Sequence, residues 1–192
     1  MKKFFYFLAV SCAAATMSIY SCKQESSAHQ LTNTDTLSND SLVRLGGYIV
    51  QTIGCSDCHS PKIAGPEGMK IDNQRLLSGY PRERPIPAFK SVNGSVTANF
   101  DNTMTTGPWG TTFSANITSD ATGVGNWTLE RFSMAMTHGQ FRGIRGSRKL
   151  LPTMPWQNFS HLSPEHIKAI FAYLKTVKAV KNNVPSYQPP VK

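Results

Sequence analysis

Acidic side chains are scarce in this chain: 11 Asp and Glu stand against 20 Lys and Arg, a formal charge of +9 at pH 7. A basic surface favours an acidic protein partner or anionic headgroups by long-range attraction, and in principle suits nucleic acid. Cysteine is scarce as well, with four in 192 residues. Two form a C-x-x-C, but no second ligand pair accompanies it as a zinc ribbon needs, and no βαβ pattern surrounds it as in a thioredoxin-like centre. The early apolar run Phe4 to Val10 is too short for a spanning helix. No internal repeat appears, and the stretch between the polar ends, roughly 140 residues, suits one domain with one core.

What is present is more telling. Cys55-Ser56-Asp57-Cys58-His59 is a C-x-x-C-H string and occurs once, which predicts a single covalent haem c. Each thiol adds to one vinyl group, the two-residue spacer lets both reach one porphyrin, and His59 is held under the iron as proximal ligand. A simple vicinal disulfide would leave His59 as coincidence.

Lys2-Lys3 followed by Phe4 to Val10 reads as an export leader. It continues to Ser21-Cys22, where a small residue precedes cysteine as in a lipoprotein cleavage box, so residues 1–21 are expected to leave and Cys22 to carry the lipid anchor. The count then closes: Cys12 goes with the leader, Cys22 takes lipid, Cys55 and Cys58 take haem. The alternative, a cut near Ala13-Ala14-Ala15, leaves Cys22 as a lone thiol in an oxidising compartment. Losing Lys2 and Lys3 lowers the formal charge from +9 to +7. Residues 22–40 are polar with almost no large apolar side chain and read as a flexible tether. Residues 41–182 form the expected domain and 183–192 a polar, proline-rich tail. Export and haem together argue against nucleic acid as a partner.

Asp40 or Ser41 can cap a helix carrying Leu42, Leu45, Ile49 and Ile53 and stopping at Gly54. Another is expected from Thr128 to Gly139, and a last one from Ser163-Pro164-Glu165 through Ile167, Ile170, Phe171, Leu174 and Val177. Gly46-Gly47 permits close helix approach, and Tyr173 can fill the notch. The 61–112 stretch reads as long loop.

The order of helix, C-x-x-C-H, long loops, methionine loop and final amphipathic helix resembles class I cytochromes c. Gly47-Tyr48-Ile49-Val50, Asn116-Ile117-Thr118-Ser119-Asp120 with Gly123-Val124-Gly125-Asn126-Trp127, and Met154-Pro155-Trp156 before Ala169-Ile170-Phe171-Ala172-Tyr173-Leu174 are similar to the monohaem modules in cytochrome subunits of membrane-bound dehydrogenases. The resemblance spans roughly residues 44 to 185. That family often has proline around the Asn-Ile-Thr string, where this chain has Ala115 and Ser119, and many relatives carry three modules rather than one. It implies a mainly α, class I cytochrome c fold with long loops around one covalently bound haem. It also implies that a Gly-Pro carbonyl, here Gly65-Pro66, receives the proximal histidine's second N–H.

A thioether sixth ligand raises the potential. Met154 is the best candidate, since Pro152 and Pro155 stiffen its loop and the family places its axial methionine there. Met69, Met104, Met134 and Met136 are rivals, and His138 would give a lower-potential bis-His site. Trp109, Phe113, Trp127, Trp156 and Phe159 are candidate pocket walls or ordinary core. Arg142, Arg145, Arg148 and Lys149 either ring an exposed haem edge, pair with a propionate, or form a solvated loop. The expected function is one-electron transfer between redox partner proteins at the periplasmic side of a bacterial membrane, the protein being anchored by lipid or soluble there. An accessory module of a dehydrogenase, a peroxidase-like protein and a small-ligand sensor are the alternatives.

Overall fold

The computed structural model describes residues 38–190. The leader, Cys22 and nearly all of the tether lie outside them. Helix α1 (Asn39–Thr52) starts at Ser38, whose Oγ accepts from the Ser41 amide at 3.2 Å. The cap is therefore earlier than Asp40 or Ser41. Every polar residue in this stretch can cap, and Ser38 does so while placing Asp40 in the first turn, near the positive end of the helix dipole. Gly54, at φ 73, turns the chain directly into the short helix α2 (Cys55–His59).

Residues 61–112 are not all loop. β1 (Lys62–Gly65) pairs antiparallel with β2 (Gly68–Ile71), and β3 (Thr97–Ala98), β4 (Met104–Gly107) and β5 (Gly110–Phe113) form a second antiparallel sheet in that order. The described residues thus combine five helices with two small sheets instead of being mainly α. These strands are two to four residues long and rich in Gly and Thr, too short for an alternating pattern to show in sequence. β4 is buried along its whole length, and the Thr106 and Thr111 hydroxyls bond across the ladder at 2.8 Å.

Helix α3 (Leu129–His138) has Thr128 as its N-cap and left-handed Gly139 as its C-cap. The four-residue helix α4 (Trp156–Phe159) precedes α5 (Pro164–Leu174), where Ser163 Oγ accepts from the His166 amide. Leu42, Ile49 and Val50 of α1 meet Ile167, Ile170 and Leu174 of α5 in the core, joined by Leu77, Val124, Phe132 and Met136. Burying a side chain of this size contributes about 1.5–3 kcal/mol. The helices approach so closely that a Cβ on Gly46 would overlap the Ala169 carbonyl, while Gly47 faces the Tyr173 ring.

The C-terminal stretch is fastened down. Asn182 Nδ2 donates to the Ser78 and Tyr80 carbonyls at 2.7 and 2.9 Å, and its Oδ1 accepts from Arg82 N at 3.1 Å. Beyond it, Gln188 and Thr111 exchange backbone hydrogen bonds at 2.8 and 3.0 Å, and Tyr187 Oη donates to the Trp109 carbonyl at 2.6 Å. Among the described residues, no helix is long and apolar enough to cross a membrane.

Candidate functional site

Helix α2 holds Cys55, Cys58 and His59 within little more than one turn, all three half-buried. Both cysteines are free thiols. Burial pushes the Cys55 thiol up to about 11, and burial with the adjacent Asp57 carboxylate pushes Cys58 up as well. A redox dithiol needs a depressed pKa to attack as thiolate. Burial here acts in the opposite direction.

His59 has one polar partner of consequence: its Nδ1 lies 2.8 Å from the carbonyl oxygen of Ala115. A carbonyl only accepts, so Nδ1 carries the proton, and the lone pair of the neutral ring resides on Nε2. Burial pulls the imidazole below its ordinary pKa, opposed by the Ala115 bond, and so favours that neutral form. This is the tautomer a metal ligand requires, held by the partner that usually fixes such a ring. The partner is not Gly65-Pro66. Gly65 pairs with Gly68 and closes the β1–β2 hairpin with Pro66 in its turn, and that carbonyl does not meet His59.

Ala115 reaches His59 because glycine lets two strands of backbone touch. Gly79, at φ 76, donates its N–H to the His59 carbonyl at 2.7 Å, and a Cβ on it would overlap the carbonyl groups of Ser114 and Ala115. Tyr80 N then donates to Ser114 O at 3.0 Å, and Ile117 N to Leu77 O at 2.9 Å. The residues after Ala115 pin this crossing to the end of the chain. Asn116 Oδ1 accepts from the Thr118 amide and hydroxyl at 3.0 and 2.8 Å, its Nδ2 donates to Val180 O at 2.8 Å, and Ser119 Oγ donates to Val177 O at 2.6 Å.

A buried charge braces the other side of α2. Asp101 accepts from Arg84 Nη1 at 2.7 Å, from Thr103 Oγ1 at 2.6 Å and from Lys62 N at 3.2 Å. Burial alone would raise its carboxyl, but the bonds from Thr103, Arg84 and Lys62 outweigh burial and hold it below the ordinary aspartate range. The Lys62 ammonium then bridges the Asp101 carbonyl, at 2.9 Å, to the Asp57 carbonyl inside the C-x-x-C-H helix, at 2.7 Å.

Met154 is half-buried and packs against the same core cluster as Cys55, together with Trp127, Phe159 and Leu162. Of the rival methionines, Met136 and Met104 are buried in α3 and β4, Met69 is exposed on β2, and Met134 is half-buried on α3 but outside the core cluster that Met154 joins. His138 is exposed, its Nδ1 beside the Thr137 hydroxyl at 2.8 Å. Trp156 covers Gly139, where a Cβ would overlap the indole. Phe113 packs edge-on to Tyr80, with centroids 5.0 Å apart, and Trp109 lies over Gly107 with its Nε1–H buried and without a partner among the described residues. Ala115, Gly79, Asp101 and Asn116 escaped the sequence reading as site components. A main-chain acceptor leaves no residue-type signature, and only the positive-φ demand on Gly79 could have pointed to the crossing.

No family model matches the chain. It is 29% identical over 140 residues to the gluconate 2-dehydrogenase cytochrome c subunit of Pantoea cypripedii, covering 72% of this chain and 24% of that protein. It is 32% identical over 148 residues to the fructose dehydrogenase cytochrome subunit of Gluconobacter japonicus, covering 76% and 23%. The cytochrome c subunit of the quinone alcohol dehydrogenase of Gluconobacter oxydans matches at 27% over 158 residues, covering 80% and 26%. The chain spans about a quarter of the length of these relatives. It is a homologue of the cytochrome c subunits of bacterial dehydrogenases.

Proposed function

We propose that the chain is an exported one-electron carrier with a single covalently bound haem c, ligated by His59 and Met154. The observation that carries this reading is the His59–Ala115 bond within the C-x-x-C-H helix, which leaves Nε2 as the coordinating nitrogen. The donor set fits the group: two un-ionised thiols, a neutral imidazole and a half-buried thioether seated against the same core. Bound there, a haem c supplies one-electron exchange between ferric and ferrous iron.

The protein's part is to hold and insulate. Cys55 and Cys58 would tether the group, the Ala115 carbonyl orients the His59 ring that would bind it, Met154 would supply a second ligand, and the Trp127, Phe159 and Leu162 side chains would exclude water. With His59 and Met154 both bound to it, the group would leave no place for a substrate, which makes the chain a carrier in this reading. Residues 1–21 are the leader, Cys22 carries lipid, 22–40 act as the tether, 41–182 are the cytochrome domain and 183–192 its tail. The protein works at the periplasmic side of a bacterial membrane.

Expression of the full chain with a cytochrome c maturation system, followed by optical and potentiometric titration, tests this. A haem that survives denaturing electrophoresis, a low-spin ferrous spectrum, one one-electron wave and slow carbon monoxide uptake are expected. A colourless product, or high-spin ferrous iron that binds carbon monoxide at once, overturns it. A second reading, an electron-transfer subunit within a dehydrogenase complex, is favoured by the three relatives being subunits by name. Co-purification with a dehydrogenase from native membranes separates the two.

A further inference from the structure

No acidic residue stands between Glu130 and Glu165, yet this stretch carries Arg131, Arg142, Arg145, Arg148 and Lys149. The loop joining α3 to the Met154 segment, where four of these cations lie, is built rather than slack. Gln140 and Lys149 pair antiparallel across its neck, Phe141 N donates to Arg148 O at 2.9 Å, and Ser147 Oγ donates to Phe141 O at 3.0 Å.

Three of its four cationic heads lie against ring faces, the Arg142 guanidinium at 5.8 Å from the Phe141 centroid. The Arg148 guanidinium lies 3.8 Å from the Phe141 centroid and 5.6 Å from that of Tyr187, and Lys149 Nζ lies 5.1 Å from that of Trp156 while donating to His138 O at 2.7 Å. Arg131 lies 4.5 Å over Trp127, and its Nε donates to Arg142 O at 2.8 Å, which joins α3 to the same patch. The nearby carboxylate, Glu130, approaches Arg145 at 3.8 Å with both side chains about four-fifths exposed, a pairing that water leaves nearly worthless. Arg131 and Arg148 each spend one N–H on a main-chain carbonyl, Arg142 O and Lys149 O, which holds the stacked guanidinium in place and leaves its other N–H groups for a partner carboxylate, with little further entropy to lose.

The patch also has a definite neighbour. Leu150 N donates to Gly139 O at 2.6 Å, Trp156 covers Gly139, and Trp156 N donates to Met154 O at 3.0 Å. The cationic loop is therefore continuous with the segment that presents Met154. We propose that the 140–149 loop with Arg131 is the docking surface for a carboxylate-rich face of an electron-exchange partner protein. This rests on the carrier reading and names the partner's chemistry. A bilayer is the poorer occupant, because insertion needs apolar side chains and the loop exposes one, Ile144, whereas Ile63, Met69, Val92, Val96 and Phe100 are exposed in residues 63–100.

The test compares the haem-loaded full chain with Arg142→Gln/Arg145→Gln/Lys149→Gln and with Lys70→Gln/Lys90→Gln/Lys168→Gln, which removes the same charge elsewhere. Affinity for polyglutamate, affinity for phosphatidylcholine vesicles containing phosphatidylglycerol, and the rate of oxidation by ferricyanide are measured at low salt. The loop variant should bind polyglutamate about tenfold more weakly and be oxidised about tenfold more slowly, with the control within about twofold of wild type. Equal losses in both variants, or a loss confined to vesicle binding, overturn the proposal. Should the triple variant not fold, Arg145→Glu, at a side chain 78% exposed, carries the same comparison with about threefold effects expected. If the haem proves high-spin the carrier reading fails, while the polyglutamate comparison still reports on the surface.

Discussion

The carbonyl of Ala115 receives the Nδ1–H of His59 at 2.8 Å across 56 residues of chain, and Gly79 makes the meeting possible. Gly79→Ala would force a left-handed backbone on a residue with a side chain and drive its Cβ into the Ser114 and Ala115 carbonyls. A loss of about 1–3 kcal/mol in folding stability is expected. The haem-loaded variant should also have a shifted reduction potential, because the imidazole loses its fixed hydrogen bond. Urea denaturation and potentiometry check both, and an unchanged potential would show that the Ala115 bond does not orient the ring.

The helices were legible and the acceptor was not, for different physical reasons. Thr128, Gly139, Ser163 and Pro164 announce helix ends because capping and φ restrictions act on single residues. The strands around Thr97 and Met104 are too brief for periodicity to accumulate. A main-chain acceptor such as Ala115 is chosen by how the fold crosses itself, which no local pattern encodes. Asn182, which the sequence marks only as the last residue before the polar tail, is buried with its side chain making three bonds to backbone, a placement that depends on segments a hundred residues earlier.

Asp101 has no side-chain exposure and faces Arg84 at 22%. Asp101→Asn leaves the guanidinium without its counter-charge, so a loss of about 3–5 kcal/mol is expected. The direction with pH follows from the depressed carboxyl. Its stabilisation is fully present above the ordinary aspartate value of 3.8 and is lost as pH falls from there toward the lowered folded value. Thermal melts between neutral pH and pH 3 should therefore show a steeper acid decline for wild type than for the variant. Parallel declines would mean that Asp101 titrates normally.

Gly46 and Gly47 are adjacent in α1 but meet α5 differently. A Cβ at Gly46 would overlap main chain at Ala169 and come within 2.8 Å of Tyr173 Cβ, whereas at Gly47 it meets only the Tyr173 ring at 3.1 Å. Alanine gains about 1 kcal/mol of helix propensity at either site, and a ring can shift by tenths of an ångström where a carbonyl cannot. Gly46→Ala should thus destabilise by about 1–3 kcal/mol net, with Gly47→Ala near neutral. Equal melting temperatures for the two would contradict the close α1–α5 contact.

Met154 is the group on which the carrier reading turns, and His138 is the competitor that substitution can expose. Met154→Ala removes the thioether while Pro152, Pro155 and the Trp156–Gly139 contact remain to hold the loop. With sulfur as sixth ligand in wild type, the variant should lose the weak near-infrared charge-transfer band of the oxidised protein. It should also have a lower potential, since the thioether favours reduced iron, and it should bind carbon monoxide readily in the ferrous state. His138→Ala should change none of the three, because that imidazole is exposed beside Thr137. A band that survives in Met154→Ala and vanishes in another methionine variant would move the ligand. A band absent from wild type, with potential and spectrum altered by His138→Ala, would make the site bis-histidine.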